Sequence, residues 1–416
     1  MRKSIFSAIV CGVVFLLLPY DSHAQTSTNT EALKKISELE KAAYLIRKAE
    51  AIRYANTNGL PIFIETPAGR YSEIQYLDEY GKPQYFITDN ANSAKTISTN
   101  QVYSGGNAGL SLTGAGITPR EWDAGAIKLT HQEFGGRVVQ GDGATTLNYH
   151  STHVAGTIMA SGVVANAKGM SPEAQLRAFD WNNDAGEMAS EGANGALMSN
   201  HSYGLTRGWY LSGSTWVWYG NPSISILEDY RFGFYDSQAQ SWDNIARNAP
   251  YYLICKSAGN DRNEGPTGGA YPKDGPYDCI GHAGNAKNIL TVGAVNDIIS
   301  GYTDPSSVVM SSFSCWGPAD DGRIKPDIVA NGIGLYSTDK DNNTDYTTLS
   351  GTSMSTPSVT GSLALLQQHW NSLNPGTYLL AATLKALVIH TADEAGTSTG
   401  PDYQFGSGLM NTRSAA

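Results

Sequence analysis

The segment Gly351 to Pro357, which reads G-T-S-M-S-T-P, constrains the fold of this chain more than any other. Ser353 is a hydroxyl flanked by small residues. Apolar residues follow it at helical spacing: Val359, Leu363, Leu366 and Trp370. This pattern predicts that Ser353 lies at a helix N-terminus, where free N–H groups and the helix dipole favour developing negative charge. Such a position suits a nucleophile, although Gly-Thr-Ser alone could equally be a turn with a capping serine.

Three earlier segments give this serine a chemical context. Lys256 to Asp261 reads K-S-A-G-N-D and follows the apolar, strand-like run Tyr251 to Cys255. His150 to Thr157 reads H-S-T-H-V-A-G-T and opens a second small-residue helix. Trp122 to Gly125 reads W-D-A-G and ends another candidate strand. Four such segments in this order are improbable by chance.

The order Asp, His, Ser, with an Asn between His and Ser, resembles the subtilisin-like serine proteases (subtilases, peptidase family S8). The resemblance covers approximately residues 101–416. Asn200 to Gly204 is similar to the family's substrate-binding strand, and three later segments are similar to its other landmarks: Ser312 to Pro318, Arg323 to Ala330 and Phe405 to Asn411.

The resemblance implies an α/β fold, a subtilisin-like three-layer domain with a mostly parallel central sheet. It also implies a serine endopeptidase that works through an acyl-enzyme. Ser353 is then the nucleophile, His153 the base, Asp123 the group that orients the base, and Asn260 with the Ser353 N–H the oxyanion donors. The substrate-binding residues implied by the same resemblance are Ser202, Tyr203, Gly204, Ala258 and Gly259.

Several positions depart from the family pattern. Ala124 follows Asp123 where a Thr or Ser is usual, so a hydroxyl near the carboxylate is missing, worth about 1 kcal/mol at most. The other departures are Ser151 for Gly, Ser355 for Ala, Ser358 for His, and Arg120 and Glu121 where buried apolar residues are expected. None removes a catalytic group.

Residues 1–24 have the pattern of a secretory signal peptide. Arg2 and Lys3 precede the apolar run Ile5 to Leu18, and Ser22-His23-Ala24 supplies small residues before a cleavage site. The run is short for a membrane span, and no other segment is a candidate, so no stable membrane insertion is expected. The expected location is secreted, periplasmic or extracellular.

Residues 25–100 form a predicted pro-region with a linker, ahead of the peptidase domain at 101–416. Glu31 to Tyr54 has helical periodicity, and Pro61 to Glu65, Ile74 to Leu77 and Tyr85 to Ile87 are predicted strands. This small α+β unit is followed by a polar, Gly-rich stretch at 88–106 that suits a linker. The position of the unit and the family resemblance together suggest a propeptide that inhibits its own protease. The alternative is an N-terminal domain that the mature protein keeps.

Charge and cysteine content exclude other classes. Without residues 1–24 the net charge is −11, and the acidic excess lies in residues 101–416, which should repel nucleic acid and anionic membranes. Cys255, Cys279 and Cys315 allow one disulfide at most, and packing thiols are the preferred interpretation.

No cofactor is required for the predicted chemistry, and the partners expected are protein or peptide substrates. His150 with His153 could suggest a zinc pair, but no matching Cys, His or Glu cluster supports one. The loop carboxylates that could hold structural calcium are Asp142, Asp339, Asp341 and Asp345, although each could simply be solvated.

Between Gly204 and Pro250 the chain is longer than the family pattern needs and is rich in aromatic residues. This insertion could be a lid or exosite, or, as we prefer, a local apolar core. For the whole chain, two other classes are possible. One is a catalytically silent peptide-binding relative, against which the intact Ser, His, Asp and Asn set argues. The other is a nucleotide-binding protein, against which the lack of a Gly-rich phosphate loop after an early strand argues.

Overall fold

A seven-stranded parallel sheet forms the centre of the molecule. The structure is a computed structural model that describes residues 27–65, 71–78, 81–88 and 94–416. The strand order is β13-β12-β11-β7-β4-β6-β5, and every neighbouring pair is parallel. These strands are β4 (Arg120–Asp123), β5 (Val138–Gln140), β6 (Leu176–Asp180), β7 (Met198–His201), β11 (Leu253–Ser257), β12 (Leu290–Val295) and β13 (Ile328–Asn331).

Helices cover both faces of this sheet and bury its apolar strands. The helices are α1 (Thr30–Asn58), α2 (Tyr149–Met159), α3 (Asp184–Ala193), α4 (Ser237–Asn248), α5 (Thr352–Leu373), α6 (Ala381–His390) and α7 (Thr412–Ala415). One core joins β11, β12 and β13 to α5 and α6, and a second joins the opposite face to α3 and α4. The predicted three-layer α/β fold is therefore confirmed. None of the described helices is long and apolar enough to cross a bilayer.

The N-terminal unit packs directly on the central domain. It consists of α1 and the antiparallel strands β1 (Phe63–Glu65), β2 (Tyr71–Leu77) and β3 (Pro83–Thr88). The sequence predicted one helix and three strands here. Leu33 of α1 enters the core under α3 and α4. Glu73 of β2 accepts hydrogen bonds from Lys48 Nζ and from Trp181 Nε1, both at 2.6 Å. A buried network thus ties the unit to the end of β6.

Strand β3 also pairs with the central domain. It lies antiparallel to β8 (Tyr203–Leu205), with Thr88 opposite Tyr203, Ile87 opposite Gly204 and Phe86 opposite Leu205. Strand β8 is the segment that the sequence assigned to substrate binding. The N-terminal unit therefore occupies the backbone edge that an extended peptide would use.

The predicted linker at 88–106 is only partly a linker. Residues 89–93 lie outside the described residues, but Ile97, Thr99 and Val102 are fully buried. Thr99 Oγ1 is hydrogen-bonded to Ser362 Oγ at 2.7 Å and to Thr412 Oγ1 at 2.8 Å. The linker prediction does not hold for residues 96–102, because isolated apolar residues in a polar stretch dock on α5 and α7.

The aromatic insertion is mostly packed. Trp242 of α4 is fully buried in the core beneath the central sheet. Trp209 lies in the hairpin β9 (Trp209–Ser212) and β10 (Thr215–Trp218), where it packs edge-on against Trp218 with ring centroids 5.3 Å apart. These contacts favour the local-core interpretation. A second hairpin, β14 (Leu335–Thr338) with β15 (Tyr346–Leu349), precedes α5.

Candidate active site

Three neighbouring strands of the central sheet end side by side and carry the candidate site. Trp122 of β4 is in register with His201 of β7, and His201 is in register with Lys256 of β11. The next residues along these strands are Asp123, Ser202 and Ser257, so they begin one row at the carboxyl edge of the sheet. Adjacent strands are about 4.8 Å apart, which brings the segments that follow within reach of each other.

Asp123 binds His150, which lies in the first turn of α2. His150 Nδ1 is 2.6 Å from Asp123 Oδ1, and both side chains are completely buried. The same carboxylate oxygen accepts a hydrogen bond from Ala124 N at 2.7 Å. Asn148 caps the helix by accepting from His150 N and so fixes the entry of the chain. A carboxylate only accepts, so the proton of this ion-pair contact sits on Nδ1.

The prediction that Asp123 holds His153 is wrong. His153 lies three residues further along α2 and turns to β14, where its Nε2 is 3.2 Å from the carbonyl oxygen of Leu335. Its Nδ1 is buried and has no hydrogen-bond partner among the described residues. Burial lowers the pKa of His153 to about 3, so the ring stays neutral. His153 is therefore a packed core histidine. The position beside Asp123 that was predicted for His153 is occupied by His150.

Ser353 is the second residue of α5, as the sequence predicted. Its Oγ donates to the carbonyl oxygen of Ser202 at 2.7 Å, and its own carbonyl accepts from Ser202 Oγ at 2.8 Å. These reciprocal bonds clamp the start of α5 to the segment between β7 and β8. The N–H of Ser353 lies in the first helical turn, where backbone donors have no intrahelical partner.

Asn260 is oriented by the residue that precedes Ser353. Its Oδ1 accepts from Thr352 N at 2.8 Å and from Thr352 Oγ1 at 2.9 Å. Because a backbone N–H can only donate, the amide orientation is unambiguous. Asn260 Nδ2 is buried without a hydrogen-bond partner among the described residues. A buried amide donor that is held in place and left unpaired has the character of an oxyanion donor.

The remaining predicted substrate residues line the same edge. Tyr203 has a buried side chain whose hydroxyl donates to Asp184 Oδ2 at 2.8 Å, so its backbone and not its ring faces the cleft. Ala258 N donates to Val292 O at 2.9 Å, which fixes the segment after β11. Gly259 has a φ of +105°, and Gly204 lies in β8. The positive φ explains glycine at 259, because other residues are strained there.

The aromatic insertion reaches this edge at one point. Trp216 of β10 lines a cavity of about 380 Å³ together with Asn260, Phe313 and Ser350. A lid or exosite role for the insertion stays a prediction.

The candidate calcium residues do not form a ligand cluster. Asp142 Oδ1 accepts from Gln140 Nε2 at 2.8 Å and from Ala144 N at 2.9 Å. Asp345 accepts from Asn342 Nδ2 at 2.5 Å. Among the described residues no group of three or more His, Cys, Asp or Glu side chains could hold a metal ion. Structural calcium stays a prediction.

Glu121, one of the departures from the family pattern, lies beneath Asp123. The two residues are two positions apart on β4, so their side chains point to the same face of the sheet. Glu121 is fully buried, and neither carboxyl oxygen has a hydrogen-bond partner in the part of the chain that the structure describes. Burial, and next the charge of Asp123, raises the pKa of Glu121 well above its usual value. A neutral carboxylic acid thus sits under the site.

We expect Glu121→Gln to stabilise the fold at neutral pH. The raised pKa means that the native state favours protonated Glu121. The contribution of Glu121 to the free energy of unfolding is therefore complete below the unfolded pKa of about 4.5, and it is lost as the pH rises towards the folded pKa. The glutamine amide does not titrate and has no such loss. Relative to the wild type, the variant should therefore gain about 1.4 kcal/mol in free energy of unfolding for each pH unit between the unfolded and the folded pKa. Thermal unfolding of the variant and the wild type should show a difference in Tm that grows from pH 4.5 upwards.

The matched control is Glu191→Gln. Glu191 is also buried but forms ion pairs with Arg120 at 2.9 Å and Arg177 at 3.0 Å, so its loss should lower the Tm. A Glu121→Gln effect that is the same at every pH would contradict the assignment of a neutral acid.

The chain is similar to several known proteins. Residues 128–408 match the family model described as the subtilase family. The serine protease AprX of Bacillus subtilis (strain 168) is 25% identical over 375 residues, which cover 84% of this chain and 77% of AprX. Subtilisin DY of Bacillus licheniformis is 26% identical over 317 residues, or 76% of this chain and 93% of that protein.

A solved structure supports the fold alone. The prenylagaramide maturation protease PagA superimposes with a TM-score of 0.52 at 19% sequence identity, and the match covers 72% of this chain and 91% of PagA.

Proposed function

Because the chain belongs to the subtilase family and is a serine endopeptidase, we propose that Ser353, His150 and Asp123 are its catalytic triad. The observation that carries this proposal is the buried contact of 2.6 Å between His150 Nδ1 and Asp123 Oδ1. It keeps the proton on Nδ1, so the basic lone pair of the ring is on Nε2. His153 cannot substitute, because its ring is turned to Leu335.

The nucleophile would leave its resting hydrogen bond before it reacts. Ser353 Oγ now donates to Ser202 O, and rotation about its side-chain torsion would bring the hydroxyl to His150. The base then takes the hydroxyl proton as Oγ attacks the scissile carbonyl carbon. The same proton then passes to the amine as the peptide C–N bond breaks, which leaves the acyl-enzyme. Water attacks the acyl-enzyme by the same steps and releases the acid.

We expect Asn260→Ala to lower kcat by about 10²–10³ with little change in KM. The reason is that Asn260 Nδ2 would bond the oxyanion of the transition state more strongly than the substrate carbonyl. The size of the effect is that known for a subtilisin and is not deduced from this chain. Steady-state kinetics on a peptide substrate would measure it, and Asn263→Ala, on the same loop, is the control. A rise in KM alone would assign Asn260 to substrate binding.

Substrates would bind as an added strand on β8. Backbone pairing there gives affinity with modest sequence selectivity, and β3 of the N-terminal unit pairs there already. We infer that residues from 25 to the end of β3 are an inhibitory pro-region that covers the cleft until it is cut. The buried contacts of Glu73 with Lys48 and Trp181 support its tight docking.

The position of the cut follows from the direction of β3. Thr88 faces Tyr203, so the antiparallel chain leaves β3 towards Ser202, whose carbonyl contacts Ser353 Oγ. Thr96, Ile97, Thr99 and Val102 are buried in the domain, which holds this stretch away from the cleft. We therefore expect cleavage within residues 89–95, of which 89–93 lie outside the described residues.

Secretion through a signal peptide at residues 1–24 completes the proposal, although this segment lies outside the described residues. The test of the proposed activity is labelling of the secreted protein by a fluorophosphonate, which reacts only with an activated serine. Absence of labelling in protein that has lost residues 25–88 would refute it.

A further inference from the structure

Two cysteines of the central domain, Cys279 and Cys315, lie next to each other. Both are fully buried in the same small cluster, and in this structure both are free thiols. Trp316 N donates to Cys279 Sγ at 3.2 Å, and Cys279 N donates to Trp316 O at 3.0 Å. Since Trp316 N is two bonds from Cys315 Cα, Cys279 Sγ is at most about 5.6 Å from that Cα atom. A disulfide joins Cα atoms about 4.4–6.8 Å apart, so residues in such backbone contact can be bridged.

The protons of the two thiols make only long hydrogen bonds among the described residues. Cys279 Sγ donates to Pro276 O at 3.6 Å and to Trp316 O at 3.8 Å. Cys315 Sγ donates to Asp261 Oδ2 at 3.6 Å. Loss of both protons would therefore remove no short hydrogen bond.

The thiol of Cys315 is unreactive once the protein has folded. Burial, and next the neighbouring Cys279 thiol, raises the pKa of Cys315 well above its usual value. The thiolate is the form that attacks a disulfide, and neither sulfur is accessible in the folded chain. A bond between the two sulfurs therefore has to form during folding, before the cluster closes.

Cys315 is attached to the loop that carries Asn260. Its N–H donates to Gly259 O at 3.0 Å, and its thiol contacts Asp261, which follows Asn260. Cys279 lies further along the chain from the same loop. A bond between Cys279 and Cys315 would therefore fasten both ends of the stretch from 259 to 279 to one residue.

We propose that Cys279 and Cys315 form a disulfide bond in an oxidising compartment and that this bond fixes the loop that carries Asn260. The bond forms by exchange with an oxidant that is itself a disulfide. Two electrons pass to the oxidant, and the two thiol protons end on the two thiols that it becomes. Disulfides persist outside the cytosol, where the proposed secretion would take the chain. The step uses no member of the proposed triad, so it goes beyond the proposed function and is tested apart from it.

Cys255 is the thiol that remains unpaired in this proposal. It lies in β11 and belongs to the core that joins this strand to α5 and α6, not to the cluster of the other two cysteines. Burial raises the pKa of Cys255 to about 12. Cys255 is therefore a matched internal control, equally buried but away from the pair.

The test maps the cysteines of the secreted wild-type protein. The protein is denatured and alkylated with iodoacetamide without reductant, then digested with trypsin and analysed by mass spectrometry. We expect alkylation of Cys255 alone, with Cys279 and Cys315 in one cross-linked peptide pair that separates on reduction. Alkylation of all three cysteines without reductant, or a bridge that includes Cys255, would overturn the proposal.

The effect on the loop is tested by comparing oxidised and reduced protein. Reduction should lower the Tm of the wild type by about 5 °C, because the bond restricts the unfolded chain. Hydrogen exchange of residues 259–279 should become faster. Cys279→Ala and Cys315→Ala should show no response to reductant, whereas Cys255→Ala should respond as the wild type does. If a bridged wild type had the same Tm and the same exchange after reduction, the bond would not fix the loop. The cysteine map of the wild type decides the pairing even if a variant fails to fold.

Discussion

His150→Ala is expected to lower kcat by about 10⁶-fold, a magnitude known for subtilisin itself and not deduced from this chain. Among the described residues His150 is the imidazole that pairs with Asp123, and in the proposed mechanism it is the group that takes the proton of Ser353. Rates on a peptide substrate should fall to near background, and labelling by a fluorophosphonate should be lost. The protein should still unfold cooperatively, which circular dichroism would check.

The matched control is His153→Ala in the same helix. Its ring contacts Leu335 O and packs in the core, so its removal should cost stability by leaving a cavity, about 2–4 kcal/mol by analogy with other large-to-small changes. Labelling at a temperature where the variant is folded should remain. If His153→Ala abolished labelling and His150→Ala did not, the assignment of the base to His150 would be wrong.

Ser353→Ala should leave the pro-region attached. If the protease cuts its own pro-region, the variant expressed without other proteases begins at Gln25, while the wild type begins within residues 90–96. The fold should persist, because within the described part of the chain Ser353 Oγ makes one hydrogen bond, to Ser202 O, whose net worth is about 1 kcal/mol. Intact-mass analysis of both secreted proteins gives the N-termini, and fluorophosphonate labelling gives the activity.

Two outcomes would contradict this picture. If the wild type keeps Gln25 and is fully active, residues 25–88 are a permanent domain and not a pro-region. If Ser353→Ala is cut at the same bond as the wild type, another protease performs the cleavage.

The serine, asparagine and aspartate proposed for the site could be chosen from the sequence because each lies at or near the end of a recognisable local element. Asp123 ends β4, Asn260 follows the apolar strand β11, and Ser353 lies in the first turn of a helix of apolar periodicity. Carboxyl ends of parallel strands meet at one edge of a sheet, so these local assignments also imply that the residues converge. The α/β architecture followed from the same alternation of strands and helices.

The histidine could not be chosen by such local reasoning. His150 and His153 are three residues apart in one helix, so both lie near one face, and either could in principle turn towards a strand end. The docking of α2 against β14 decided the matter by giving His153 the carbonyl of Leu335. A usable signal was Asn148, because a residue in the first turn after this cap lies nearest the sheet edge.

The sequence by itself determined the fold class, the order of the parts and most of the chemical groups, because periodicity and short motifs report local structure. Tertiary structure alone decided which histidine meets Asp123 and how far the linker extends. Ile97 lies in a polar stretch, and its burial depends on contacts between residues far apart in the chain. Such contacts depend on how whole elements pack, which no local pattern encodes.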